Sequence, residues 1–187
     1  MTTLSVGSIV GRGELIKKIH IPRWSIVIST SLAALINLGL NIIVVIIFML
    51  ISHVSFRITD FLFIVILIEI YLLSLGVSFF LSAAFTKYRD ISYIWEVFLQ
   101  AFFYLTPILY PLSRIPNVTL QKLMALNPLA QILQDARYDV VTHQTITTSK
   151  LFDGGWYSVI PYVIVLLTLI LGSFYFKKKS KHFAENI

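Results

Sequence analysis

The chain has 187 residues, 57% of them hydrophobic and 13% charged, where soluble domains carry roughly 25% charged residues. One folded core of this size cannot hide so much apolar surface, whereas a bilayer can, because it is itself the apolar solvent. The net charge of +6 sits at the ends of apolar runs, with no basic stripe interleaved with exposed aromatics, which argues against a nucleic-acid partner, and the absence of cysteine excludes disulfides and thiolate metal sites.

Met1 to Val10 is small and polar and lacks the charged-then-apolar order of a cleavable signal peptide. Gly13 to Trp24 follows. On a helix its Leu15, Ile16, Ile19 and His20 are neighbours, with Lys17 and Lys18 turned the other way, and Pro22 disfavours helix at Ile21. Such a basic amphipathic turn before a span either anchors to anionic headgroups or docks a cytoplasmic partner. The first apolar run, 25–51, carries Asn37 and Asn41 but no charge. The second, 61–85, is interrupted by one acid, Glu69. An intramembrane carboxylate is costly, so Glu69 must face a partner or a polar cavity, or hold a proton. A short connection with Lys87, Arg89 and Asp90 leads to a third run, 91–110, with Glu96 near its start and Pro107 near its end. Tyr88, Trp95 and Phe102 recur every seven residues there, with Phe98 on the same side and Gln100, Tyr104 and Thr106 adding polar groups. These aromatics either line a path for a glycan, by stacking on sugar rings, or pack against lipid as an interfacial belt.

The connection 111–155 is predicted to hold two short helices. One contains Leu120, Leu123, Met124 and Leu126; the other follows Asn127-Pro128 with Leu129, Ile132, Leu133, Ala136 and Val140 on one face. They are too short to span and either dip into the outer leaflet as a re-entrant region or lie on the surface. The last run, 156–176, is uncharged, and 177–187 is a lysine-rich tail. Each of the four runs has about the ~20 residues a crossing helix needs, and period-two alternation is absent, so the fold class is an all-α membrane protein with four spans rather than a barrel. Ten of the lysines and arginines fall on the side of both termini and five on the other, which places both termini in the cytoplasm.

Enzyme templates fail. No phosphate-cradling glycine loop precedes a Lys-Ser or Lys-Thr, and His20, His53, His143 and His182 are scattered outside any zinc spacing. No Gly-x-Ser-x-Gly elbow is present. Any energy must come from a partner, so no catalytic residue, metal or cofactor is expected in this chain.

Three stretches taken together resemble the permease subunit of type-2 ABC exporters, in the branch that exports polysaccharides and teichoic acids. Leu15 to Arg23 is similar to that family's "LIKKxxFPR" segment, with His20 in place of an aromatic. Lys87-Tyr88-Arg89-Asp90 is similar to its short inner loop. Tyr104-Leu105-Thr106-Pro107-Ile108-Leu109-Tyr110-Pro111, followed by Leu126-Asn127-Pro128-Leu129, is similar to its "TPI-x-Y" and "NP" marks. The resemblance implies a multi-pass protein of the bacterial cytoplasmic membrane that pairs with a second permease copy and with a cytoplasmic ATPase subunit, which binds the ATP. It implies a coupling helix that receives the ATPase stroke (Leu15, Ile16, Lys17, Lys18, Ile19, Pro22 and Arg23) and a third span lining the conduit (Tyr88, Trp95, Phe98, Phe102 and Tyr104). It also implies a re-entrant gate that includes Pro107, Tyr110, Asn127 and Pro128. Family members usually have six spans and an N-terminal interface helix, so the chain reads as N-terminally truncated. The competing expectations are a permease for a drug or lipid-like substrate, a proton-coupled carrier using Glu69, and a membrane fragment or assembly subunit that does not itself transport.

Overall fold

The computed structural model describes residues 1–14, 22–51, 62–140, 145–181 and 183. Within them every regular element is a helix: α1 (Thr2–Val6), α2 (Arg23–Ile51), α3 (Leu62–Phe85), α4 (Ile91–Leu105), α5 (Val118–Ala125), α6 (Pro128–Val140), α7 (Thr148–Leu151) and α8 (Ile160–Ser180), with 3-10 turns at Val10–Arg12, Leu112–Arg114 and Trp156–Val159. The coupling residues Leu15, Ile16, Lys17, Lys18 and Ile19 lie outside the described residues. Pro22 and Arg23 are described and stand at the start of α2, where the Pro22 carbonyl accepts hydrogen bonds from the Ser25 backbone N–H (2.9 Å) and hydroxyl (2.6 Å).

Three of the expected crossings are helices long and apolar enough for a membrane: Arg23–Ile51, Leu62–Phe85 and Trp156–Ser180. The run expected to cross over 91–110 is helical for only 15 residues, or about 22 Å at ~1.5 Å per residue, short of the ~30 Å hydrocarbon thickness. Pro107 is the cause: it lacks a backbone donor and disfavours helix at Thr106. The last helix runs beyond the expected 176 to Ser180, because Lys177, Lys178 and Lys179 suit the negative end of a helix dipole.

Several hydroxyl and amide groups in and next to the long helices are satisfied locally. Ser29 and Thr30 donate to the Ile26 carbonyl (both 2.9 Å), Ser31 to Ile28 (2.7 Å), Thr86 to Ala83 (2.8 Å), and Asn41 Nδ2 to Asn37 (2.8 Å). A helix that absorbs its own polar groups can turn an unbroken apolar face outward. Along α2, Ile36, Leu40, Ile43, Phe48 and Ile51 are all exposed, as lipid-solvated side chains are.

The chain divides into two compact units. The first comprises Met1–His53, Tyr71–Val97 and Leu167–Ile187. Its core is Ile9, Val27, Phe79, Ala83, Phe176 and Phe183, with Phe176 edge-on to both Phe79 (5.1 Å) and Phe183 (5.4 Å). Here α3 and α8 meet backbone to backbone. A Cβ on Gly172 would stand 2.1 Å from the Gly76 carbonyl oxygen, and one on Gly76 would stand 2.7 Å from the Leu169 backbone. Only glycine permits that approach, the usual device for helix contact where no hydrophobic effect drives association. Ser31 and Tyr71 share a 3.1 Å hydrogen bond in the same unit, and Arg12 Nη1 donates to Ser29 Oγ at 3.1 Å. The second unit comprises Val54–Ile70 and Phe98–Leu166 and contains the polar cluster described next.

Candidate functional site

In the second unit the connection 111–155 contains the two short helices α5 and α6, each started by an asparagine. Asn117 Oδ1 accepts from the backbone N–H of Thr119 (2.9 Å) and Leu120 (3.4 Å), capping α5. Asn127 Oδ1 accepts from Leu129 N–H at 3.1 Å, and Pro128 occupies the first helical position of α6, where its missing donor costs nothing. The Asn-Pro pair is thus a helix start by its own chemistry.

The same pair is tied to the turn after α4. Asn127 Nδ2 donates to Thr106 Oγ1 at 3.4 Å. The Arg137 guanidinium, from the last turn of α6, donates to the carbonyls of Pro107 (3.1 Å), Tyr110 (3.3 Å) and Ile108. Pro107 is fully buried. Pro107, Tyr110, Asn127 and Pro128, which the sequence groups as a gate, are therefore held together around one arginine and one threonine. The sequence reading had used Arg137 only as a charge to be counted.

Beside this turn lies a buried polar cluster contributed by three helices. Gln131 of α6 is fully buried, and its Nε2 faces three acceptors: Asp135 Oδ2 at 2.6 Å, Tyr162 Oη of α8 at 3.1 Å, and Glu69 Oε2 of α3 at 3.4 Å. The Tyr162 hydroxyl also donates to Asp135 Oδ2 at 3.4 Å. Burial pushes the Asp135 carboxyl above its ordinary range; the Gln131 and Tyr162 hydrogen bonds pull it down, and neighbouring Asp139 pushes it further up. Glu69, only 7% exposed, therefore faces a partner, as the cost of an intramembrane carboxylate requires.

The burial of α6 adds what its apolar pattern does not show: Leu129, Leu133, Ala136 and Val140 are half-buried, while Gln131 and Gln134 are fully buried. The available signal was the spacing of Gln131, Gln134 and Asp135, at i, i+3 and i+4 on a short helix beside a span that carries a lone acid. Tyr162 had no such signal.

The five residues that the resemblance assigns to the conduit are divided between the two units, Tyr88 and Trp95 in the first and Phe98, Phe102 and Tyr104 in the second. Tyr88 precedes the helix, which starts at Ile91, so the seven-residue repeat does not begin on α4; Lys87 Nζ instead stands 5.3 Å over its ring. Trp95 Nε1 donates to Thr2 Oγ1 at 3.2 Å in the first unit. In the second unit, the rings of Phe98 and Phe102 stack at 5.2 Å, and Tyr104 is 73% exposed. Arg89 and Asp90 are exposed in the turn before α4, with the Arg89 guanidinium 5.3 Å from the Phe85 ring. Among the described residues no group of three histidine, cysteine or acidic side chains could hold a metal ion.

Residues 1–138 match a family of membrane proteins, the ABC-2 type transporters. The O-antigen export system permease protein RfbA of Myxococcus xanthus is 30% identical over 115 residues, which is 61% of this chain and 42% of that protein. The chain thus spans less than half the length of the curated relative it matches.

Proposed function

The chain belongs to the ABC-2 type transporter family, and from that premise we propose that it is a transmembrane subunit of an exporter of a polysaccharide, lipid-linked glycan or teichoic acid, powered by a separate ATPase subunit. The observation that carries the family is the match over residues 1–138. The glycan substrate rests on the O-antigen export permease of Myxococcus xanthus, and the same membrane architecture also suits a drug or lipid-like substrate. Three helices of crossing length and apolar exterior support the membrane setting. In this reading α4 is a fourth, short crossing, accommodated by local thinning of the bilayer, and α5 and α6 are re-entrant. A second copy of the chain completes the pathway.

Leu15 to Arg23 is the proposed docking element for the ATPase. The full chain, expressed with its ATPase subunit, is expected to co-purify with it in mild detergent. Changing Leu15, Ile16 and Ile19 together to serine is expected to reduce recovery of the ATPase at least tenfold while leaving the permease in the membrane. Unchanged recovery excludes this segment as the docking site. Accumulation of glycan inside cells that carry the triple variant, and at the surface of cells that carry the unaltered pair, identifies the substrate class.

Orientation follows from charge: both termini cytoplasmic and the α5–α6 region outside. Membrane-impermeant labelling of a tag after Ile187 and of Leu123→Cys, an exposed position on α5, is expected to report from opposite faces of the membrane. Labelling of both from one side overturns the topology.

A further inference from the structure

Two carboxylates converge on one amide in the second unit, and the hydrogen bonds they receive among the described residues come from an amide and a phenol rather than from a cation. Gln131 Nε2 lies 2.6 Å from Asp135 Oδ2 and 3.4 Å from Glu69 Oε2. An amide nitrogen has two protons, and this one is also 3.1 Å from the Tyr162 hydroxyl, so it cannot satisfy both acids fully. The groups facing the pair are Tyr162 from α8 and, one turn along α6, a third acid, Asp139. Arg137, the nearest cation in sequence, is turned to the carbonyls of Pro107, Ile108 and Tyr110. Among the described residues neither Glu69 nor Asp135 has an ion-pair partner.

A second, independent observation concerns unpaired atoms. Glu69 Oε1 and Gln131 Oε1 are both buried acceptors without a hydrogen-bond donor, on side chains more than nine-tenths buried. An orphaned buried acceptor is costly, and two carboxylates sharing a low-dielectric site favour the state in which one of them holds a proton. A proton on Glu69 Oε1 converts that atom from an unpaired acceptor into a donor.

We propose that Glu69 and Asp135 together form a binding site for one exchangeable proton, held between α3 and α6 with Gln131 as the bridge and Tyr162 as the cover. The bound proton clamps α6 to α3, and its release places two negative charges on one amide and loosens that contact. The site stands on the geometry of the cluster and does not depend on which substrate is exported.

The test uses the full chain in lipid nanodiscs and infrared spectroscopy of the carboxyl carbonyl stretch, with carbon-13 aspartate labelling to identify Asp135. At neutral pH the unaltered protein is expected to show a protonated-carboxyl band that shifts on deuterium exchange and disappears on alkalinisation. In Glu69→Gln the second carboxyl of the pair is gone, and the proton affinity of Asp135 is expected to be at least about tenfold lower than in the unaltered protein, while burial and Asp139 still favour its protonated form. Absence of any protonated-carboxyl band in the unaltered protein at neutral pH overturns the proposal, whether or not the variant folds. So does an Asp135 titration that is the same with and without Glu69. A saturable rise in thermal stability with sodium, potassium, magnesium or calcium at constant ionic strength, accompanied by loss of the band, also overturns it by placing a metal cation where the proton is proposed.

Discussion

Gly172→Leu is expected to give no folded protein in mild detergent, and Gly172→Ala a protein whose apparent Tm falls by roughly 5–10 °C. The alanine figure corresponds to about 2–3 kcal/mol of overpacking in a chain of this size. The reason is the 2.1 Å that a Cβ would leave to the Gly76 carbonyl oxygen. The atom met is backbone, so no rotamer change relieves the clash, and α3 and α8 must move apart. That separation also pulls Phe79 from Phe176 and so opens the core of the first unit. Gly39→Ala in α2 is the control, since nothing lies within 4 Å of its Cβ position. It is expected to be neutral or slightly stabilising, because alanine is the better helix former by about 0.5–1 kcal/mol. Scanning fluorimetry of the three proteins in one detergent settles the matter, and equal melting of Gly172→Ala and Gly39→Ala would refute the close crossing.

Replacing Arg137 is expected to be the other large loss. Arg137→Gln leaves the carbonyls of Pro107, Ile108 and Tyr110 without their charged donor, and a glutamine is too short to replace the fork. Hydrogen bonds to charged groups contribute about 1.5–3 kcal/mol each but not additively, so a cost on the order of 3 kcal/mol is expected, or roughly 6–12 °C in apparent Tm. Arg137→Lys keeps the charge but presents a single point donor, so it should fall between the two. Hydrogen exchange distinguishes this local effect from general destabilisation: amides of 106–112 should exchange faster in Arg137→Gln while those of α2 stay unchanged. If α2 loosens equally, the arginine does not act through the turn.

Much of the architecture could be read from the sequence because a bilayer imposes simple demands. Long uncharged runs such as 25–51 must be helices, and this one is a helix from Arg23 to Ile51. The Asn-Pro pair was also legible, since asparagine and proline act through their own side chains at a helix start. The length of the third run is less legible, because hydropathy counts residues whereas Pro107 ends the helix at Leu105; where a partner distant in sequence decides, the sequence is silent. The burial of Gln131 is not legible in α6 alone, because the reason to bury it is an acid 62 residues earlier. Arg137 passed for a topology marker because carbonyls freed by a proline have no letter in the sequence.

The separation between Glu69 and its partners has a bearing on biogenesis. α3 leaves the ribosome well before Gln131, Asp135 and Tyr162 have been made, whereas α2, whose asparagines and hydroxyls bond within the helix, is ready for oil at once. The nascent chain therefore carries an unmatched carboxyl through the translocon for the time it takes to synthesise those later residues. During that interval the acid must stay near the lateral gate, near water, or neutral, which makes α3 the segment most dependent on insertion factors and most exposed to quality-control proteolysis.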